Sequence, residues 1–120
     1  MSHSSNVVSI HPYFKAKPGK LAEAKAMLPR FVATTSPEKL VLYYDFTVNG
    51  DEIHCREAYF GAAGLLAHLD NIGAVLGEFL KIVDLTRVEV HGPAEELAKL
   101  KGPMEGLNPT WFVYECGLNR

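Results

Sequence analysis

Glu57-Ala58-Tyr59-Phe60-Gly61-Ala62-Ala63-Gly64-Leu65-Leu66-Ala67-His68-Leu69 reads as the end of a strand that turns directly into a helix. Ahead of it, Ile53, Cys55, Glu57 and Tyr59 alternate with Glu52, His54, Arg56 and Ala58, the period-2 spacing of a pleated strand. Beyond Gly64 the period changes, and Leu65, Leu69, Ile72, Leu76, Phe79 and Leu80 recur at helical spacing. A carboxylate near the strand's end and a histidine one to two turns into the helix can face one cavity. Glu57, Tyr59 and His68 are therefore the first candidates for chemistry.

Working outward, Asn49-Gly50 is the clearest local signal, because both residues tolerate the positive φ that a tight hairpin needs. A turn centred on Asn49-Gly50 or on Gly50-Asp51 makes residues 40–48 and the strand ending at Tyr59 antiparallel neighbours. One face then carries Leu40, Leu42, Tyr44 and Phe46 beside Ile53, Cys55, Glu57 and Tyr59, and should lie under the helices. The other carries Val41, Tyr43, Asp45 and Thr47 beside Glu52, His54, Arg56 and Ala58.

Residues 7–14 form a first strand with Val8, Ile10 and Phe14 on one side and His11 on the other, irregular at Pro12, which lacks a ladder donor. Lys17-Pro18-Gly19-Lys20 turns into a helix striped by Leu21, Ala24, Leu28, Phe31 and Val32, kinked at Pro29 and ended by residues 34–37. The second long helix is expected over 62–81, with Gly73 and Gly77 as weak points. A fourth strand spans 83–91, a short helix opened by Pro93 spans 94–101, and residues 110–116 make an aromatic fifth strand. The order β-α-β-β-α-β predicts an α+β fold of the ferredoxin-like, split-βαβ kind. Its antiparallel sheet has the helices on one face, and a helix and a strand are appended at the C-terminus. The division is residues 1–6 as a disordered tip, 7–92 as the core domain and 93–120 as an extension of it. Val41, Tyr43 and Phe60 are too apolar for a water-facing sheet surface, which points to a face-to-face homodimer.

Composition narrows the partners. At 120 residues, with 48% hydrophobic and 22% charged residues, the chain has the balance of one globular domain. A net charge of -2 and scattered lysines and arginines supply no field for phosphates, so nucleic acid is excluded. No apolar run reaches membrane-spanning length and Met1 to Asn6 has no signal core, so a cytoplasmic location without membrane contact is expected. Cys55 and Cys116 lack metal or redox spacing, and His11, His54 and His91 on separate strands have no ligand spacing; no metal is expected.

Several of these pieces, taken in order, resemble the antibiotic biosynthesis monooxygenase family of dimeric α/β-barrel proteins. They are Lys17-Pro18-Gly19-Lys20, Ser36-Pro37-Glu38, Tyr43-Tyr44, Glu57-Ala58-Tyr59, Ala67-His68-Leu69 and Val88-Glu89-Val90-His91-Gly92. The likeness covers residues 7–92 and implies the fold and the homodimer. Its haem-degrading branch uses an Asn, a Trp and a His; Tyr59 stands in the place of that Trp, and Trp111 lies in the uncovered tail, so haem degradation ranks low.

The resemblance implies a cofactor-independent monooxygenase acting on a small aromatic or quinol-type molecule. His68 or Glu57 would be the catalytic base and Tyr44 and Tyr59 would bind the substrate, with no cofactor. Two alternatives stay open: a non-catalytic small-ligand-binding dimer, and an isomerase using the same two residues. At the level of residues, Glu57 among apolar neighbours is either tied to a helix amide or to Arg87, or has a raised pKa suited to proton transfer. His68 is either a base or a fixture of the strand–helix junction, and Tyr44 and Tyr59 are either ligand contacts or core.

Overall fold

The computed structural model describes residues 6–118. The expected disordered tip lies outside them except for Asn6, whose carbonyl accepts a 2.8 Å hydrogen bond from Gly61 N. The elements in chain order are β1 (Val7–Ala16), α1 (Leu21–Thr35), β2 (Val41–Asn49), β3 (Glu52–Phe60), α2 (Gly61–Asn71), α3 (Gly73–Phe79), β4 (Val83–Gly92), α4 (Ala94–Leu100) and β5 (Thr110–Val113). A single 3-10 turn, Glu105–Leu107, precedes β5. The sheet order is β2-β3-β1-β4-β5. The first four strands pair antiparallel and β5 joins β4 in parallel, giving the α+β, split-βαβ class with a mixed five-stranded sheet.

Strand parity sorts the sheet as the alternation requires. In β1, Val8, Ile10, Pro12, Phe14 and Ala16 are buried while Ser9, His11 and Tyr13 are half-buried. In β3, Ile53, Cys55, Glu57 and Tyr59 all point into the protein. The hairpin closes at Gly50-Asp51, with Asn49 opposite Glu52 and Gly50 at φ 60°, a backbone conformation that favours glycine.

Three sequence expectations are corrected. Val41 does not share a face with Tyr43: the β2–β3 register slips between them, the extra residue of a bulge flips the parity, and Val41 packs against the buried cluster around Tyr59 and Leu65. The expected helix over 62–81 is two helices broken at Ile72, whose ψ of 2° leaves the helical region just ahead of Gly73. The tail strand pairs with β4 of its own sheet and is shorter than expected, Thr110–Val113.

Two buried clusters fill the space between sheet and helices. One joins Val8, Ile10, Tyr59, Leu65, Val88 and Val90 to Leu97, Leu100 and Met104 of the tail. The other joins Phe14, Phe31, Ile53, Val75, Phe79 and Val83. The tail therefore contributes to the main core. Among the described residues the opposite sheet face carries no helix, and Tyr43 and Phe112 there remain 46% and 41% exposed. Among the described residues no helix is long and apolar enough to cross a membrane.

Candidate active site

Three chain segments deliver side chains to one buried point. β3 carries Glu57 inward by parity, since Ile53, Cys55 and Tyr59 share its face. α2 starts immediately after β3, and its first amides are satisfied from outside: Gly61 N by the Asn6 carbonyl and Ala62 N by Glu96 Oε1, each at 2.8 Å. Gly64 then lets the helix lie directly on the strands. A Cβ there would stand 3.0 Å from the Tyr59 Cβ and 3.1 Å from the Leu40 Cβ. His68 is four residues on from Gly64 and so falls on the same, sheet-facing side. The third segment is the turn between α1 and β2, which places Glu38 against the outer side of the His68 ring.

His68 is 1% exposed and Glu57 is 5% exposed. The Nδ1 of His68 lies 2.9 Å from Glu38 Oε2 and 3.2 Å from Oε1. Its Nε2 lies 3.5 Å from Glu57 Oε1 and, among the described residues, makes no hydrogen bond. Glu57 Oε1 accepts a 2.5 Å hydrogen bond from the Tyr59 hydroxyl. The rings of Tyr44 and Tyr59 each sit 5.0 Å from the imidazole, centroid to centroid. The arrangement is a row, Glu38, His68, Glu57, Tyr59, held in an apolar surround.

Burial sets the protonation states. Loss of water pushes the Glu57 carboxyl up to about 7, against hydrogen bonds from Tyr59 and Cys55 that pull it down. Burial also lowers the His68 pKa, with the Glu38 hydrogen bond acting in the other direction, so the imidazole is neutral at neutral pH. Tyr44, Cys55 and Tyr59 are all pushed up by burial first, so none ionises near neutrality and the Cys55 thiol is unreactive. At pH 7 the site thus pairs a free imidazole lone pair with a carboxyl poised to hold or release a proton.

A cavity of about 50 Å³ reaches this row. Glu57, His68, Tyr44 and Cys55 are its polar wall, and residues such as Phe14, Phe31, Phe46, Leu69, Ile72 and Phe79 are its apolar one. That volume holds a few waters, so an organic substrate enters only if these side chains rearrange.

The structure thus brings together all four residues singled out from sequence. Glu57, His68 and Tyr44 line the cavity, whereas Tyr59 stands behind Glu57 as its hydrogen-bond donor, away from the cavity wall. Arg87 does not reach Glu57; it lies on the other sheet face and pairs with Glu89. Trp111 packs against the first core cluster and Tyr114 lines a separate groove beside β5, so the tail residue on the cavity wall is Leu107. Glu38 was missed: it lies in a turn, 30 residues before His68, where no periodicity signals a buried partner. His11, His54 and His91 do gather on the open face, with His11 ring centroids 4.5 Å from His91 and 6.2 Å from His54. Among the described residues, no group of three or more His, Cys, Asp or Glu is placed to hold a metal ion.

No protein-family profile matches the chain, and no curated protein does. Solved structures do. MupZ from Pseudomonas fluorescens is 41% identical and superposes with a TM-score of 0.92 over 96% of this chain and 95% of MupZ. A candidate antibiotic biosynthesis monooxygenase from Chloroflexus aurantiacus matches in fold, with 17% identity and a TM-score of 0.61 over 74% of this chain and 94% of its own. Another from Caulobacter crescentus gives 18% and 0.65 over 73% and 90%. The chain has the antibiotic biosynthesis monooxygenase-like fold and belongs to the family of MupZ.

Proposed function

We propose that the chain is a cofactor-independent acid–base enzyme acting on a small, largely apolar molecule, with His68 as base and Glu57 as acid. The observation that carries this is the 3.5 Å gap between His68 Nε2, without a hydrogen bond among the described residues, and Glu57 Oε1 at the wall of an apolar cavity. His68 takes a proton from one substrate atom while Glu57 gives one to another. The imidazolium and carboxylate left behind are neighbours, so one proton transfer between them restores the starting state. A pair that resets itself in this way suits a redox-neutral rearrangement, in which substrate and product have the same mass. Tyr59 steadies the Glu57 carboxylate through its hydroxyl, and Tyr44 presents a neutral ring and hydroxyl to the substrate.

A second reading is oxygenation of a phenol or quinol, where one of the two groups removes the acidic proton and the electron-rich anion reacts with O₂. The names of the two fold relatives from Chloroflexus aurantiacus and Caulobacter crescentus favour it. Incubation in D₂O with a panel of apolar phenols, quinols and 1,3-dicarbonyl compounds separates the two. Deuterium exchange or isomerisation without O₂ consumption is the expected result. O₂ uptake with a product one oxygen heavier supports the second reading, and tight binding with neither exchange nor uptake makes the protein a ligand carrier.

A further inference from the structure

We propose that Glu38, clamped by Asn71, is a positioning residue that fixes the His68 imidazole with its proton on Nδ1, leaving Nε2 as the base. The proposal rests on the reading of His68 and Glu57 as a proton-transfer pair and assigns what orients that pair.

The direction of the hydrogen bonds around Glu38 follows from one backbone atom. Asn71 Nδ2 lies 2.8 Å from the carbonyl oxygen of Thr34 and 2.8 Å from Glu38 Oε2. A carbonyl only accepts, so the Asn71 atom facing it is the amide nitrogen, and both of its N–H groups are used. Glu38 Oε2 is therefore an acceptor toward Asn71. The same oxygen, already an acceptor from Asn71, is 2.9 Å from His68 Nδ1, and as an acceptor there too it makes Nδ1 the protonated ring nitrogen. In a neutral ring this leaves the lone pair on Nε2, the nitrogen that faces Glu57 across 3.5 Å.

The competitor for that decision is Glu57 on Nε2, and at 3.5 Å it makes no hydrogen bond to the ring, whereas Glu38 is 2.9 Å from Nδ1. The titratable neighbours are Glu57 and Tyr59 from β3, Tyr44 from β2 and Glu38 from the turn before it. Tyr44 and Tyr59 stay un-ionised, and Tyr59 already spends its proton on Glu57. The clamp also draws on three separate pieces of chain, since Thr34 lies in the last turn of α1, Glu38 precedes β2 and Asn71 ends α2. Such multiple anchoring suits a group that must hold one orientation through turnover.

Histidine ¹⁵N spectra of the intact protein test this without any substrate, His68 being assigned by its disappearance in His68→Gln. At pH 8 the wild type is expected to show a protonated Nδ1 and an unprotonated Nε2. Glu38→Ala removes the acceptor and should move the proton to Nε2, toward Glu57. Glu38→Gln, which keeps an oxygen for Nδ1–H, should restore the wild-type pattern. In the D₂O assay, Glu38→Ala should slow exchange roughly a hundredfold while Glu38→Gln recovers most of it. A wild-type spectrum with the proton on Nε2, or a Glu38→Ala spectrum unchanged from wild type, overturns the proposal. The wild-type spectrum decides even if Glu38→Ala fails to fold. Because the spectra need no turnover, an inactive but correctly tautomeric protein would refute the proposed reaction and leave the role of Glu38 standing.

Discussion

Glu57 is a carboxyl kept in the protein interior at a cost, and that cost is measurable. Its folded-state pKa of about 7 lies above the ordinary value of 4.5, so the folded chain holds the proton more tightly than the unfolded chain. The stabilisation is complete below pH 4.5 and is lost as the pH rises through 7, a change of about 3 kcal/mol. His68 acts with the opposite sign, losing stability as the pH falls, because burial lowers its pKa. Comparison with Glu57→Gln isolates the carboxyl. The variant should gain about 3 kcal/mol over wild type between pH 4.5 and pH 8 in denaturant titrations; a constant difference would mean Glu57 titrates normally. His68→Gln should keep the fold, judged by circular dichroism, yet slow D₂O exchange by roughly a hundredfold or more. Unchanged exchange would remove His68 from the chemistry.

At the scale of elements, the site depends on how closely α2 meets the sheet. Gly64→Val puts a branched side chain where even a Cβ stands 3.0 Å from Tyr59. It should cost about 1–3 kcal/mol in unfolding free energy and withdraw His68 from Glu57, lowering exchange with it. Met104→Ala, in the tail, should cost about 2–5 kcal/mol, since Met104 is 1% exposed inside the main cluster. Equal midpoints for that variant and wild type would show the tail to be loosely attached. Much of this architecture was legible in the sequence. Period-2 spacing from Ile53 to Tyr59 put Glu57 inside, Gly50 at the turn gave the hairpin, and helical spacing from Leu65 brought His68 near it. What escaped was set by contacts remote in sequence. The bulge that turns Val41 inward leaves no trace in the pattern of β2, and the break at Ile72 needs the core positions of Val75 and Phe79 to explain it. Glu38 becomes a partner of His68 only once α1 and α2 pack side by side. A parallel partner for β5 likewise depends on where α4 docks.

For the molecule as a whole, the sheet face without helices is the feature still lacking a partner, and a second copy of the chain is our proposal for it. Tyr43 and Phe112 are exposed there beside the half-buried Phe60 and a mixture of Arg56, Arg87, Asp45 and Glu89, a self-complementary surface for a two-fold interface. Sedimentation at micromolar concentration should give a dimer, and Tyr43→Asp should shift it toward monomer with secondary structure intact; a monomeric wild type rules the interface out. The fold is shared with proteins of 17% and 18% identity, so it sets the frame in which the row of side chains sits, while the reaction is decided by those side chains. The most direct test is therefore the titration of the Glu57 carboxyl, followed by ¹³C NMR in the intact protein and assigned with Glu57→Gln. A midpoint near 7 is expected for an acid that can give up its proton beside His68. A midpoint at the ordinary 4.5 would leave Glu57 a permanent carboxylate and contradict its role as the acid.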